Sequence, residues 1–169
     1  MQILETRSLH WPDEAACAAT AAELAGRIRL ADAASASVFI ELHGTLGAGK
    51  TTFARYLLQA LGVQGRIKSP TYAVMESYEV QQRGARLAIS HFDFYRFDDP
   101  QEFEDAGFRD VFASPGVKLA EWPENAAGLL PVADLVIFIT PGDGDGDGES
   151  DARRVRLDAH SALGARLIG

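Results

Sequence analysis

The chain alternates between short apolar runs and stretches with helical spacing, and this alternation sets the elements to expect. VFIEL (Val38 to Leu42) is apolar, β-branched and aromatic, which predicts a buried strand. Beyond it, Phe53, Leu57, Ala60 and Leu61 recur at helical spacing, and Gly62 stands where that helix should close. Residues 14–29 place Cys17, Ala21, Leu24 and Ile28 on one face of a helix, with Asp13 as its N-cap. YAVMESYEV and RLAISHFDFY flank QQRGA, predicting a β-hairpin with Gly84 in its turn. Between helix and hairpin, Pro70 stops regular structure and predicts an ordered loop. DDPQEFEDAGFRDVFASPG predicts two short helices broken at Gly107. VKLAEW then predicts a strand, PENAAGLL a short helix, ADLVIFI a strongly apolar strand and RRVRLDA a last, alternating one.

Between the first strand and its helix runs HGTLGAGKTT (His43 to Thr52). From Gly44 its spacing fits G-x-x-x-x-G-K-[ST], the phosphate-binding loop. Gly44, Gly47 and Gly49 permit backbone angles that a Cβ forbids, so successive N–H groups can turn inward around an anion. Lys50 adds a point charge for the outer phosphates, and the Thr51 hydroxyl is a ligand for Mg²⁺. The positive end of the following helix points at the same phosphates. The expected nucleotide contacts on the loop are therefore Gly44, Leu46, Gly47, Ala48, Gly49, Lys50, Thr51 and Thr52. Strand, glycine loop and helix in that order predict an α/β protein, a three-layer P-loop NTPase fold with a central mixed β-sheet flanked by helices.

Such a loop needs an acidic residue near the metal. Asp93 closes LAISHFD and Glu121 closes VKLAE, each at the C-terminal end of an apolar strand, where α/β sheets place their ligand crevice. Taken singly, Asp93 could instead cap the loop after it, and Glu121 the helix starting at Pro123. Together, beside a phosphate-binding loop, they are better explained by Mg²⁺ and water activation. Glu121, Asp93 and Lys50 are thus the candidate catalytic residues, and Thr51, Glu121 and Asp93 the candidate Mg²⁺ set. SPTY (Ser69 to Tyr72) lies where P-loop proteins carry a mobile loop that senses the γ-phosphate, with Ser69 and Thr71 offering hydroxyls. A plain proline turn explains the same four residues equally well. Trp122, directly after Glu121, either packs or lines the nucleotide site. His91 and Tyr95 share the strand face of Asp93 as packing or supporting residues. His10, His43 and His160 have no metal-ligand spacing.

Composition narrows the setting. At 169 residues the chain suits one domain, residues 1–169, and no linker divides it. The net charge is −8, and only three of the sixteen cationic residues are lysines, which argues against a broad nucleic-acid footprint. Nucleic acid, if involved, is then handled by a partner. No run approaches ~18 consecutive apolar residues, and the N-terminus lacks a basic region and apolar core. A cytoplasmic protein without membrane contact is expected. Cys17 is the single cysteine and reads as a small core residue, less readily as a reactive thiol. PGDGDGDGES (Pro141 to Ser150) lacks the spacing of a calcium loop and reads as a flexible Gly/Asp connector over residues 142–149.

HGTLGAGKTTFAR, KSPTY, HFDFYR and EWPE occur in that order, and together they resemble the TsaE (YjeE) family of small bacterial P-loop ATPases. That family is required for threonylcarbamoyladenosine (t6A) at position 37 of tRNAs reading ANN codons, and the likeness runs from about Glu14 to the final strand. The resemblance implies ATP and Mg²⁺ as cofactors, with Thr51 and Glu121 serving the metal and Asp93 supporting it. It implies a switch-like SPTY loop, with Glu14 and Glu124 approaching the nucleotide's base and sugar. It also brings an arginine of the last strand to the nucleotide, Arg153 or Arg154, without deciding between them. His43, where the family commonly has an aromatic residue, and the Gly/Asp segment are departures. The function implied is an ATP-binding and hydrolysing accessory protein that regulates or resets the t6A transferase complex. Its partners are the TsaD and TsaB subunits, and tRNA is met only through them. The alternative is a small-molecule or nucleoside P-loop kinase, but Phe53 to Glu121 leaves little room for both a substrate insertion and an Arg-rich lid. A GTPase would need an N-K-x-D motif, and the only asparagine, Asn125, precedes two alanines.

Overall fold

The computed structural model describes residues 2–33, 35–68, 70, 73–82, 84–142 and 151–169. Their elements are β1 (Glu5–Trp11), α1 (Glu14–Leu30), β2 (Ser37–His43), α2 (Lys50–Ala60), β3 (Met75–Gln82) and β4 (Ala85–Asp93). After these come α3 (Pro100–Asp105), α4 (Phe108–Ala113), β5 (Gly116–Glu121), a 3-10 turn (Pro123–Ala126), β6 (Leu135–Pro141), β7 (Arg153–Ala159) and α5 (Ala162–Ile168). The strands form one seven-stranded sheet in the order β1-β7-β6-β2-β5-β4-β3. Its central strands β6, β2, β5 and β4 run parallel, while β7 pairs antiparallel with β6, β1 antiparallel with β7, and β3 antiparallel with β4. The sheet is mixed and the fold is α/β, as expected from the interleaved pattern.

Strand alternation builds a different core on each face. Ile40, Leu42, Leu119, Ile137 and Val155 join Ala21, Leu24 and Ile28 of α1, Phe53 and Leu57 of α2 and Leu167 of α5 in one cluster. Phe39, Phe92, Ala120 and Val136 meet Phe103 of α3 and Phe108 and Phe112 of α4 in a second, largely aromatic one. Phe92 stacks on Phe112 at 4.6 Å between centroids, and Phe39 meets the same ring edge-on at 4.9 Å. Local signals fix the helix ends. Asp13 accepts from the Ala16 N–H at 3.0 Å, Asp99 caps α3 ahead of Pro100, and Gly107 separates α3 from α4 at φ 72°.

Several boundaries differ from expectation, among them the end of β4, at Asp93 and not Tyr95, and the hairpin turn, which shortens because β3 runs on to Gln82. β5 stops at Glu121 because Trp122 takes a left-handed backbone, φ 55° and ψ 45°. PENAAGLL forms only the 3-10 turn at its start. The hairpin begins at Met75, after Val74 at φ 66°. β1 and α5 have no counterpart among the expected elements. Most of the Gly/Asp connector, 143–150, lies outside the described residues. No helix among the described residues is long and apolar enough to cross a membrane.

Candidate functional site

β2 runs straight into the glycine turn, and its neighbour β5, with β4 next beyond it, ends at the same edge of the sheet. In the parallel ladders Glu121 is in register with Leu42 on one side and Asp93 on the other, so two carboxylates stand at the C-terminal edge of the sheet. Gly44 is required by close approach: a Cβ there would lie 2.5 Å from the Ile139 carbonyl oxygen of β6. Gly49, at φ 112°, is the left-handed N-cap of α2 and aims that helix's N-terminus across the loop.

Lys50 is buried, with 5% of its surface exposed. Its Nζ donates to the carbonyls of Gly44 and Thr45 and lies 3.9 Å from the centroid of Trp122. Burial lowers its pKa, while the charges of Glu121, Glu124 and Asp93 work the other way. Thr51 Oγ1 donates to Glu121 Oε1 at 2.8 Å, and His91 Nε2 lies 2.7 Å from Glu121 Oε2. Asp93 Oδ1 accepts from the Tyr95 N–H at 2.9 Å. Burial raises the Asp93 pKa and the charge of Glu121 adds to that, against the Tyr95 N–H, His91 and Lys50.

Two cavities meet at this loop. One of about 360 Å³ lies over residues 46–52 and is walled by Asp93, Tyr95, Arg96, Glu121 and Trp122. The other, about 170 Å³, shares Ala48, Gly49 and Thr52 and is walled by Trp11, Asp13, Glu14, Cys17, Asp151 and Arg153. The first carries the charges suited to phosphates, and the second has the apolar and carboxylate walls suited to a base and sugar. Arg153 Nε donates to the Ala48 carbonyl at 2.7 Å, and the Tyr56 hydroxyl donates to Glu14 Oε1 at 2.6 Å. The Cys17 thiol is pushed up to about 11 by burial, with the Glu14 charge adding, so at neutral pH it remains protonated.

The structure thus brings together most of the residues the sequence singles out. Gly44 and the loop residues 46–52 gather with Asp93, Glu121, Trp122, Glu14 and Arg153. Arg154 does not join them: strand alternation turns it to the other face of the sheet, where it lines a separate hollow with His10, Phe138 and Thr140. Glu124 is exposed on the 3-10 turn and lines neither cavity, though its charge acts on Lys50. Ser69 and Thr71, and with them the expected switch, lie outside the described residues. Pro70 accepts from the Val74 N–H at 2.8 Å and Val74 from the Asp93 N–H at 2.8 Å, so Pro70 and Val74 are linked to the backbone of a site residue. The sequence pattern assigns no role to Tyr56 or Trp11. Tyr56 follows Thr52 by one helical turn, the spacing that would have placed it on the same face.

No group of three His, Cys, Asp or Glu side chains able to hold a metal gathers among the described residues. Mg²⁺ in such sites takes one or two protein oxygens and fills its shell with phosphate oxygens and water. The Thr51 hydroxyl, with the Glu121 and Asp93 carboxylates beside it, fits that demand.

Fold and site define the class: an α/β protein with a phosphate-loop glycine turn and strand-end carboxylates facing one crevice. Residues 11–149 match the model of the family described as TsaE, threonylcarbamoyl adenosine biosynthesis protein. The chain is 42% identical over 132 residues to the tRNA threonylcarbamoyladenosine biosynthesis protein TsaE of Haemophilus influenzae, a match covering 78% of this chain and 77% of that one. The protein of the same name in Bacillus subtilis is 37% identical over 100 residues, 59% of this chain and 60% of that one. The crystal structure of Bacillus subtilis YdiB superposes with a TM-score of 0.71 at 25% identity, covering 99% of this chain and 95% of that one. The chain belongs to the TsaE family.

Proposed function

We propose that this protein binds ATP with Mg²⁺ across the two joined cavities and hydrolyses it, as an accessory protein of tRNA t6A modification that regulates or resets the transferase complex. The observation that carries this reading is the Thr51–Glu121 hydrogen bond of 2.8 Å beside the buried Lys50. A hydroxyl that gives its proton to a carboxylate keeps its lone pairs for a cation, the arrangement a Mg²⁺–phosphate pair requires. In this reading Lys50 and the loop N–H groups hold the outer phosphates, and Thr51, Glu121 and Asp93 serve the metal and the attacking water. Glu14 and Arg153 flank the base and sugar. Bound Mg²⁺ would neutralise charge developing on the phosphates.

The partners proposed are TsaD and TsaB, with tRNA reached through them, in the cytoplasm. Family membership supports the pathway, and the net charge of −8 supports a protein partner over direct RNA binding. A pull-down of TsaD and TsaB with the tagged protein, in ATP, ADP and no nucleotide, tests the reading. Capture that depends on ATP is the expected result, and equal capture in all three sinks it.

A further inference from the structure

His91 stands two residues before Asp93 on β4, so both face the side of the sheet on which Glu121 lies. Its Nε2 is 2.7 Å from Glu121 Oε2, and the two residues are 2% and 1% exposed. Glu121 Oε1 already accepts from Thr51. A buried carboxylate needs donors in place of its lost hydration, and these two residues meet both oxygens. The Thr51 bond alone leaves the carboxylate free to turn about its last torsion. The His91 bond removes that freedom, and among the described residues nothing else donates to Oε2. The second ring nitrogen, Nδ1, is buried without a hydrogen-bond partner among the described residues. An imidazole that accepts this cost is committed to Glu121, and the Nε2–H tautomer leaves a lone pair unmatched, not an N–H. An apolar side chain would pack here without the penalty.

We propose that His91 is a positioning residue whose Nε2–H fixes the Glu121 carboxylate, so that Oε1 receives the Thr51 proton while the threonine oxygen faces Mg²⁺. This rests on the nucleotide-site reading above, and His91 itself touches neither nucleotide nor metal.

The test is the gain in ATP affinity on adding Mg²⁺, measured by calorimetry with Mg²⁺ and with EDTA, for wild type, His91→Phe, His91→Asn and His91→Gln. The glutamine amide can place an N–H near the Nε2 position, whereas asparagine is too short. His91→Phe and His91→Asn should lose roughly 10-fold of the Mg²⁺ gain with affinity in EDTA unchanged, and His91→Gln should recover most of it. In turnover the same variants should lower kcat more than they change KM. If His91→Phe does not fold, the asparagine and glutamine pair decides the matter. Equal Mg²⁺ gains in all folded variants, glutamine no better than asparagine, or no Mg²⁺ gain in wild type overturns the role of His91. A wild type that binds no ATP at all removes the nucleotide site itself.

Discussion

Each cavity carries one of the two tryptophans: Trp122 walls the larger and Trp11 the smaller. In the proposed reading, phosphate arriving at Lys50 would draw its ammonium from the Trp122 ring, which it approaches to 3.9 Å. Trp11, stacked on Phe53 and donating to Thr20 Oγ1 at 2.9 Å, meets only what enters the second cavity. In single-tryptophan variants, Trp11→Phe and Trp122→Phe, tripolyphosphate with Mg²⁺ should change Trp122 emission alone, and ATP should change both. Losing the indole hydrogen bond in Trp11→Phe should cost about 1 kcal/mol. A Trp11 response to tripolyphosphate would show that the two cavities are divided wrongly. Asp93 makes a second residue-level case. Its pKa is raised by burial above the ordinary 3.8, so the folded protein holds the proton more tightly than the unfolded chain. Stability is therefore lost as pH rises through the window above 3.8. Asp93→Asn keeps an acceptor for the Tyr95 N–H and carries no buried charge. In EDTA it should melt on the order of 2 °C higher at pH 7, the shift that about 1 kcal/mol produces in a chain of this size. That advantage should shrink as the pH falls, because wild-type Asp93 then also takes up its proton, and an advantage independent of pH would assign the effect to packing.

At the scale of elements, two glycines separate what serves the site from what serves the fold. A Cβ at Gly44 would sit 2.5 Å from the Ile139 oxygen, and one at Gly164 in α5 would sit 1.9 Å from the Asp134 oxygen. Both obstacles are backbone, so either alanine should destabilise by about 2 kcal/mol or more in chemical denaturation. Gly44→Ala should also abolish nucleotide binding, whereas folded Gly164→Ala should bind as wild type does; intact binding in Gly44→Ala would dissociate the turn from the ligand. The same two places mark how far the sequence could be read. The loop, Thr51, Asp93 and Glu121 were legible because motif spacing and apolar runs fix them locally. α5 is seven residues long, too short for a period, and is held by the Ser161 cap and by Leu167 and Ile168 in the core. β1 alternates nothing apolar except Leu9 and Trp11 and is a strand because β7 offers it a ladder. The choice between Arg153 and Arg154 needed the face of β7, and the Tyr56–Glu14 bond joins two helices through contacts no local pattern encodes.

Taken whole, the molecule is an acidic protein with net charge −8 whose two cavities at the glycine loop lie at one edge of its sheet, the larger flanked by exposed Leu46 at 72% and Tyr95 at 44%. If the protein acts through a complex as proposed, the nucleotide must be sensed where a partner can feel it, and the chemistry must be separable from the binding. Glu121→Gln separates them. The amide keeps the shape of the side chain and one acceptor for the Thr51 hydroxyl, but it loses the charge and presents an amino group where His91 donates. Phosphoryl transfer depends on placing metal and water, so hydrolysis should fall by roughly 10²-fold or more. ATP affinity in EDTA should be held within a few-fold by Lys50 and the loop, while at least the roughly 10-fold Mg²⁺ gain that His91 supports is lost. A protein that cannot discharge its ATP should stay longer in an ATP-dependent complex with TsaD and TsaB, which dissociation rates from the immobilised complex would measure. Wild-type turnover in Glu121→Gln with Asp93→Asn inactive would move the catalytic role to Asp93. Slow turnover without prolonged association would mean that hydrolysis does not time the release of the partner.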